Sequence, residues 1–291
     1  VVVYAINKFE FVNHKTLPNK LKLIYRGEIP RLIKGFGKVD LLYEKLFDYF
    51  ILSPCLKKEN FDFVFGYQRT SGIKAAKISK KEKIPLVTII FETPLWVDNQ
   101  LKDDTRADFK KVPRLAKEWE MFKQCLLQSD IIISNSRRTT KETLRWIKRK
   151  PDGEIYPGFD SDIADSIQEQ KEEYQVIYVG RLFETKNVDD AIKALAKIKN
   201  HPKFVIIGDG VEKDNLIRLS RKLGVRCEFR GRVTDEEKWI EIKKSMFMIY
   251  PTSFEGFGMP PMESLYCMKP CIATDIPILR ENYGNKLEYF K

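Results

Sequence analysis

Short apolar runs alternate with helical patterns along most of this chain, and that alternation constrains the fold more than any other feature. "FDFVFGYQ" precedes "SGIKAAKISKKEK" and "IPLVTIIF"; "DIIISNS" precedes "RRTTKETLRWIKRK". Further on come "YQVIYVGR", a helix expected from Asp189 to about Lys199, "KFVIIGDG" and a helix from Lys213 to Leu223. "CEFRGRV", a helix from Asp235 to Lys244, "MFMIYPT", a helix from Pro261 to Cys267 and "PCIATD" complete the series. Strands apolar on both faces with amphipathic helices between them predict parallel sheets covered by helices. The pattern runs twice. A chain of 291 residues suits two domains of about 150 residues each. The stretch "PDGEIYPGFDSDIADSIQEQKEE" is polar, acidic and expected to hold no strand. The reading is therefore an α/β chain of two Rossmann-like, doubly wound domains, residues 1–158 and 174–291, joined by a linker at 159–173. Open sheets of this kind bind ligands at the carboxyl ends of their strands, so the two domains face a central cleft.

Charge is shared unevenly. Residues 1–150 hold 31 Lys/Arg against 17 Asp/Glu, and residues 151–291 hold 21 against 24, within a net charge of +11. The basic half matches an anionic membrane surface or a phosphate-bearing acceptor, and equally a lysine-rich solvated surface. Nucleic acid is disfavoured, because no basic stripe is interleaved with aromatics and no nucleic-acid fold motif occurs. No apolar run approaches the ~20 residues of a membrane helix, and "VVVYAINKFEF" lacks the features of a leader peptide. The five cysteines show no CxxC spacing, which points to reduced thiols and away from a metal site. The D-x-D of Asp160 and Asp162 reads as a turn or helix cap within the linker.

The second half places its unusual residues at successive strand ends. Gly180 and Arg181 close "YVGR", with Lys186 in the following loop; Gly208 and Gly210 close "VIIGDG"; Arg232 and Val233 follow Gly231. The stretch "FEGFGMPPMESL" then supplies Glu255, Gly256, Phe257, Gly258 and Glu263. Together these suit one extended ligand carrying a diphosphate. Glycines admit close backbone approach, a helix start offers N–H groups and a positive dipole end, and Arg and Lys supply forked and point charges. The two carboxylates beside an expected anion site need a separate explanation.

The run "VIYVGRLFETKN", "VIIGDG", "FRGRV", "YPTSFEGFGMPPMESL" and "KPCIATDIPILRENYG" resembles the carboxyl-terminal domain of retaining glycosyltransferase family 4, whose E-x7-E motif falls on Glu255 and Glu263. "FDFVFGYQ", "IPLVTII", "SDIIISNSRRTTKETL" and "IYPGFD" resemble its first domain in order and spacing. The resemblance implies a GT-B fold and a retaining hexosyltransferase that takes its sugar from a nucleotide-diphosphate donor. Arg181 and Lys186 would hold the diphosphate and Glu263 the ribose hydroxyls, with backbone near Arg232 and Val233 facing the base. Glu255 and the N–H groups of Gly256, Phe257 and Gly258 would lie against the transferred sugar and adjoining phosphate. Catalysis would fall to Glu255, Arg181 and Lys186, with no metal and no cofactor. Where the family commonly carries a histidine facing the sugar, Phe91 and Glu92 stand here.

The resemblance further implies that a first strand with a glycine-rich loop and the final helices lie outside this stretch. The acceptor would be a hydroxyl group, on a lipid-linked or membrane-associated glycan, with the protein cytoplasmic and peripheral at the inner face of the cell membrane. The basic helices "SRRTTKETLRWIKRK" and "FKKVPRLAKEWEMFKQCLLQ" are the candidate contact. Two other classes stay open at this point. One is a GT-B sugar-nucleotide epimerase. The other is a donor-binding pseudoenzyme or interaction subunit.

Overall fold

The computed structural model describes residues 2–5, 22–25, 62–94, 113–159 and 161–291. The chain divides into two compact units, residues 1–62 and 63–291. In the first, β1 (Val2–Ala5) and β2 (Lys22–Tyr25) pair in parallel.

The larger unit contains two all-parallel sheets. One has the order β3-β4-β5-β6: Val64–Tyr67, Leu86–Ile90, Ile131–Ser134 and Gly153–Glu154. Its described helices are α1 (Gln68–Glu82), α2 (Pro113–Gln128) and α3 (Arg137–Ile147). Ser136 starts α3 by accepting from the Thr139 N–H, and Lys148 ends it in the left-handed region. Trp119, Phe122, Cys125 and Leu126 of α2 pack against Leu86, Ile90 and Ile132.

The other sheet has the order β12-β11-β10-β7-β8-β9. Its strands are β7 (Gln175–Val179), β8 (Lys203–Ile207), β9 (Cys227–Gly231), β10 (Phe247–Tyr250), β11 (Cys271–Thr274) and β12 (Glu288–Phe290). The described helices here are α4 (Asp162–Ser166), α5 (Val188–Leu195), α6 (Lys213–Leu223), α7 (Asp235–Lys244), α8 (Met259–Tyr266) and α9 (Pro277–Tyr283). Val176, Ile177, Tyr178, Phe204, Val205, Ile206 and Met248 are fully buried. Each fully buried large aliphatic contributes roughly 1.5–3 kcal/mol. A capping box of Thr234 and Glu237 starts α7, and Gly224 ends α6. Strand order reverses between β7 and β10, and that reversal opens a crevice at their carboxyl ends.

Four expectations need correction. Gly153–Glu154 forms β6 in the stretch expected to hold no strand. Backbone pairing decides this, not an apolar pattern: Asp152 and Ile155 N–H donate to the Ile132 and Ser134 carbonyls. The helix expected over Asp189–Lys199 ends at Leu195, and the one expected from Pro261 begins at Met259. Part of the expected linker is folded onto the second sheet's helices. Lys243 Nζ donates to the carbonyls of Ala164 (2.7 Å) and Ile167 (2.6 Å), and Phe159 rests 5.3 Å from the Trp239 ring. The apolar residues of α3 are divided between core and surface. Its buried face is Thr139, Thr140, Thr143 and Ile147, Trp146 packs edge-on to Trp119 at 5.5 Å, and Leu144 is exposed.

Candidate functional site

The loops after β7 and β10 meet at the strand-order reversal and are laced together. Ser253 N–H and Thr252 Oγ1 donate to the Thr185 carbonyl, and Asn187 Nδ2 donates to the Pro251 carbonyl. Lys186 sits in a 3-10 turn, Glu184–Lys186, that aims its buried side chain across to the β10 loop. There Nζ donates to the Phe254 carbonyl at 3.0 Å and to Glu255 Oε1. Tyr250 OH donates to that same oxygen. Glu255 Oε2 has no hydrogen-bond partner among the described residues.

Glu255 is thus neutralised and oriented by the protein. Burial, then the Glu255 carboxylate, push the Tyr250 phenol well above its ordinary range, so it stays a proton donor. Tyr178 stacks near Tyr250, with ring centroids 6.3 Å apart, and donates to the Arg181 carbonyl at 2.9 Å. Its phenol is raised by burial and by Glu255, with Arg181 acting in the opposite direction. Arg181 itself is exposed, its guanidinium 5.1 Å from the Phe183 ring, and has no ion-pair partner among the described residues. Of the two cations expected to face a diphosphate, Arg181 is free and Lys186 is engaged.

Glu263 lies on α8, eight residues after Glu255, and is also paired. Lys238 of α7 donates to Glu263 Oε1 at 2.9 Å. Burial lowers the Lys238 pKa, but Glu263 and Asp235 outweigh it and leave the group above its ordinary value. Arg232 is exposed and Val233 half-buried in the turn leading into α7, close in sequence to this pair.

The glycines divide by role. Gly208 has φ +133°, and a Cβ there would stand 1.8 Å from the Gly180 carbonyl oxygen. A Cβ on Gly210 would stand 2.2 Å from the Leu182 carbonyl oxygen. Gly208 and Gly210 therefore admit close contact between the β7 and β8 loops, while a Cβ on Gly180 would meet the Tyr178 hydroxyl at 2.6 Å. Gly258, φ +89°, starts α8 from the left-handed region, and a Cβ there would strike Leu279 at 2.6 Å. Asn282 Nδ2 and Tyr283 OH of α9 donate to the Phe257 and Gly258 carbonyls. The N–H groups of Gly256, Phe257 and Gly258 have no protein acceptor among the described residues. The expected helix-start donors are fewer than a typical helix provides, because Pro260 and Pro261 in the first turn carry no N–H.

Phe91 and Glu92 stand at the carboxyl end of β4. The Phe91 ring lies tilted against Tyr67, centroids 4.8 Å apart, and the Phe91 N–H donates to Gln68 Oε1. A Cβ on Gly256 would lie 3.8 Å from the Phe91 carbonyl oxygen, so the two sheets' carboxyl edges meet here. Tyr156 and Phe257 rings also meet, at 5.9 Å, and Arg138 N–H donates to Glu281. Glu92 is half-buried and, among the described residues, makes no hydrogen bond or ion pair to either glutamate pair. Among the described residues no three His, Cys, Asp or Glu side chains gather to hold a metal, and no helix is long and apolar enough to cross a membrane. Asp160 of the D-x-D lies outside the described residues.

Sequence reasoning singled out Glu255, Glu263, Arg181 and Lys186 and did not reach Lys238, Tyr178, Tyr250, Asn282 and Tyr283, which the structure places beside them. The two tyrosines at the ends of otherwise aliphatic strands, "VIYVG" and "MIYPT", were the available signal.

Two parallel sheets meet at their carboxyl edges, with paired glutamates in the crevice, in an α/β architecture of GT-B type. Residues 160–287 match the family model of glycosyl transferases group 1. An N-acetylgalactosaminyltransferase of Campylobacter jejuni, named for a diphospho-undecaprenol-linked acceptor, is 34% identical over 100 residues, 34% of this chain and 27% of the relative. N-acetyl-alpha-D-glucosaminyl L-malate synthase of Bacillus anthracis is 26% identical over 242 residues, 77% of this chain and 59% of the relative. This chain thus spans well under two thirds of the length of both. Among solved structures, sucrose-phosphate synthase of Thermosynechococcus elongatus superposes with a TM-score of 0.67 at 18% identity, covering 87% of this chain and 64% of that one. Anabaena HepE in complex with UDP and glucose superposes with a TM-score of 0.60 at 18% identity, covering 90% and 69%. The fold is GT-B.

Proposed function

We propose that this chain is a retaining glycosyltransferase of family 4 type that moves a hexose from a nucleotide-diphosphate sugar to a hydroxyl acceptor. One observation carries the reading. The glycosyl transferases group 1 match spans the strand-order reversal at which Arg181, Lys186 and Glu255 converge, with Glu263 on the next helix. Relatives named for lipid-linked and O-antigen acceptors support a lipid-linked glycan as acceptor. On that reading the protein works at the cytoplasmic face of a membrane, with its basic residues 1–150 toward anionic lipid.

The arrangement suits charge stabilisation more than covalent catalysis. Arg181 would take the leaving diphosphate, joined by Lys186 from the opposite side of Glu255, and no metal is required for that charge. The N–H groups of Gly256, Phe257 and Gly258 would approach the sugar and adjoining phosphate. Glu255, with one oxygen held by Lys186 and Tyr250, keeps Oε2 for a sugar hydroxyl. A front-face transfer through an oxocarbenium-like state would then rest on leaving-group stabilisation and positioning. Each preorganised donor to the leaving group contributes about 3 kcal/mol.

The test is a thermal-shift screen with UDP-, GDP- and ADP-sugars, followed by assay of nucleoside diphosphate release with and without a polyprenyl-phosphate acceptor. Acceptor-dependent release with the anomeric configuration kept is the expected result. Binding without turnover identifies a donor-binding pseudoenzyme, and a changed sugar still linked to its nucleotide identifies an epimerase. No shift with any nucleotide sugar contradicts the donor site.

A further inference from the structure

Lys238 and Glu263 come from different helices and meet with little water around them; their side chains are 17% and 10% exposed. Lys238 Nζ lies 2.9 Å from Glu263 Oε1 and 3.0 Å from Asp235 Oδ1, and 4.8 Å from the Trp239 ring centroid. A buried ion pair is a weak source of stability, because desolvation offsets most of the Coulomb gain. Its effect here is geometric. Asp235 and the Trp239 ring fix the ammonium, and the ammonium fixes one oxygen of the carboxylate. Glu263 Oε2 has no partner among the described residues. A buried carboxylate without a counter-charge is driven toward its neutral form, which cannot accept fully on both oxygens.

We propose that Lys238 is a positioning residue for the donor nucleotide: it holds Glu263 as an oriented acceptor for the two vicinal hydroxyls of the ribose. Lys238 touches no substrate atom in this account. It acts through Glu263 and sets the site's preference for a ribonucleotide. The proposal rests on the donor-site reading above and extends it from Glu263 to the residue that controls Glu263. Lys186 plays the corresponding part for Glu255, so each glutamate of the crevice has its own lysine from a neighbouring element.

Calorimetric titration with UDP and with 2′,3′-dideoxyuridine diphosphate separates the alternatives, with GDP or ADP and its dideoxy form substituted if the screen selects that base. Wild type binds the ribonucleotide at least tenfold more tightly than the dideoxy form. Lys238→Met removes that preference and leaves dideoxy binding unchanged, while Lys238→Arg keeps it. Asp235→Asn, which leaves the Lys238–Glu263 pair in place but loosens the ammonium, loses part of the preference and decides the matter if Lys238→Met does not fold. Equal weakening toward both nucleotides, or a preference untouched in Lys238→Met and Asp235→Asn, overturns the role of Lys238 alone. A wild type that binds but shows no preference, or a Glu263→Ala variant that retains one, overturns the ribose assignment and this proposal with it. A wild type that binds no nucleoside diphosphate overturns the donor-site reading itself.

Discussion

The two sheets of the larger unit solve the same packing problem with different chemistry. The β7–β12 sheet is packed by aliphatic and aromatic side chains and buries charged groups in pairs: Lys186 with Glu255 and Glu263 with Lys238 at the crevice, and Glu241 with Arg230 and Gln175. The β3–β6 sheet buries a run of hydroxyls and an amide beside its apolar core: Thr88, Ser129, Ser134, Asn135, Ser136, Thr139, Thr140 and Thr143. Its carboxyl edge near the crevice carries Tyr67, Gln68 and Phe91, with Glu92 next in the chain. The difference suggests a division of labour. On the proposed reading the second sheet's crevice would take the charged donor, and the first sheet's edge, with its hydroxyl, amide and aromatic groups, would take a neutral sugar or acceptor.

The largest effect that would break this comparison lies at the buried pair. Lys186→Met leaves Glu255 without its counter-charge and should destabilise the fold by about 3–5 kcal/mol. A marked fall in the urea midpoint checks it; an unchanged midpoint would show that the pair is not structurally needed. Gly208→Ala forces a Cβ against the Gly180 carbonyl and should destabilise by about 1–3 kcal/mol, read in the same denaturation assay. A smaller effect, of opposite sign, tests the first sheet. Thr143 Oγ1 is buried with no partner among the described residues, so Thr143→Val should be neutral or stabilising by about 1 kcal/mol. Marked destabilisation would show that the hydroxyl is used.

The smallest effect concerns the thiols. Burial pushes Cys271 up to about 12 and Cys227 up to about 11, and burial with Glu263 opposing nearby lysines holds Cys267 at about 11. Their contribution to stability is complete below the unfolded thiol pKa and is lost as pH rises through about 11–12. At pH 8 these three should resist alkylation in the folded protein and react on unfolding.

Legibility in the sequence followed the same division. Five of the second sheet's six strands were readable, because parallel buried strands must be apolar on both faces; the short edge strand β12 and the helix α9 before it were not read. β6 was hidden because Gly153 and Glu154 join by backbone bonds alone, and the packing face of α3 was hidden because it is built of threonines. At the site, Glu255 and Glu263 were legible through spacing and resemblance, and Lys186 through its place after a strand end. Its engagement with Glu255 was not, since that depends on the β7 and β10 loops meeting in space. Lys238 was illegible for a related reason. Within "DEEKWIEIKK" it reads as one more solvated helix charge, and only the packing of α7 beside α8 brings it to Glu263.

The central claim is that the crevice at the β7–β10 reversal clamps a nucleoside diphosphate between Arg181 and Glu263. Calorimetric titration of the nucleoside diphosphate into wild type, Arg181→Ala and Glu263→Ala tests it most directly. The expected result is a loss of at least tenfold in each variant, on the order of 1.4 kcal/mol, with both variants folded. Affinities equal to wild type in both would contradict the claim.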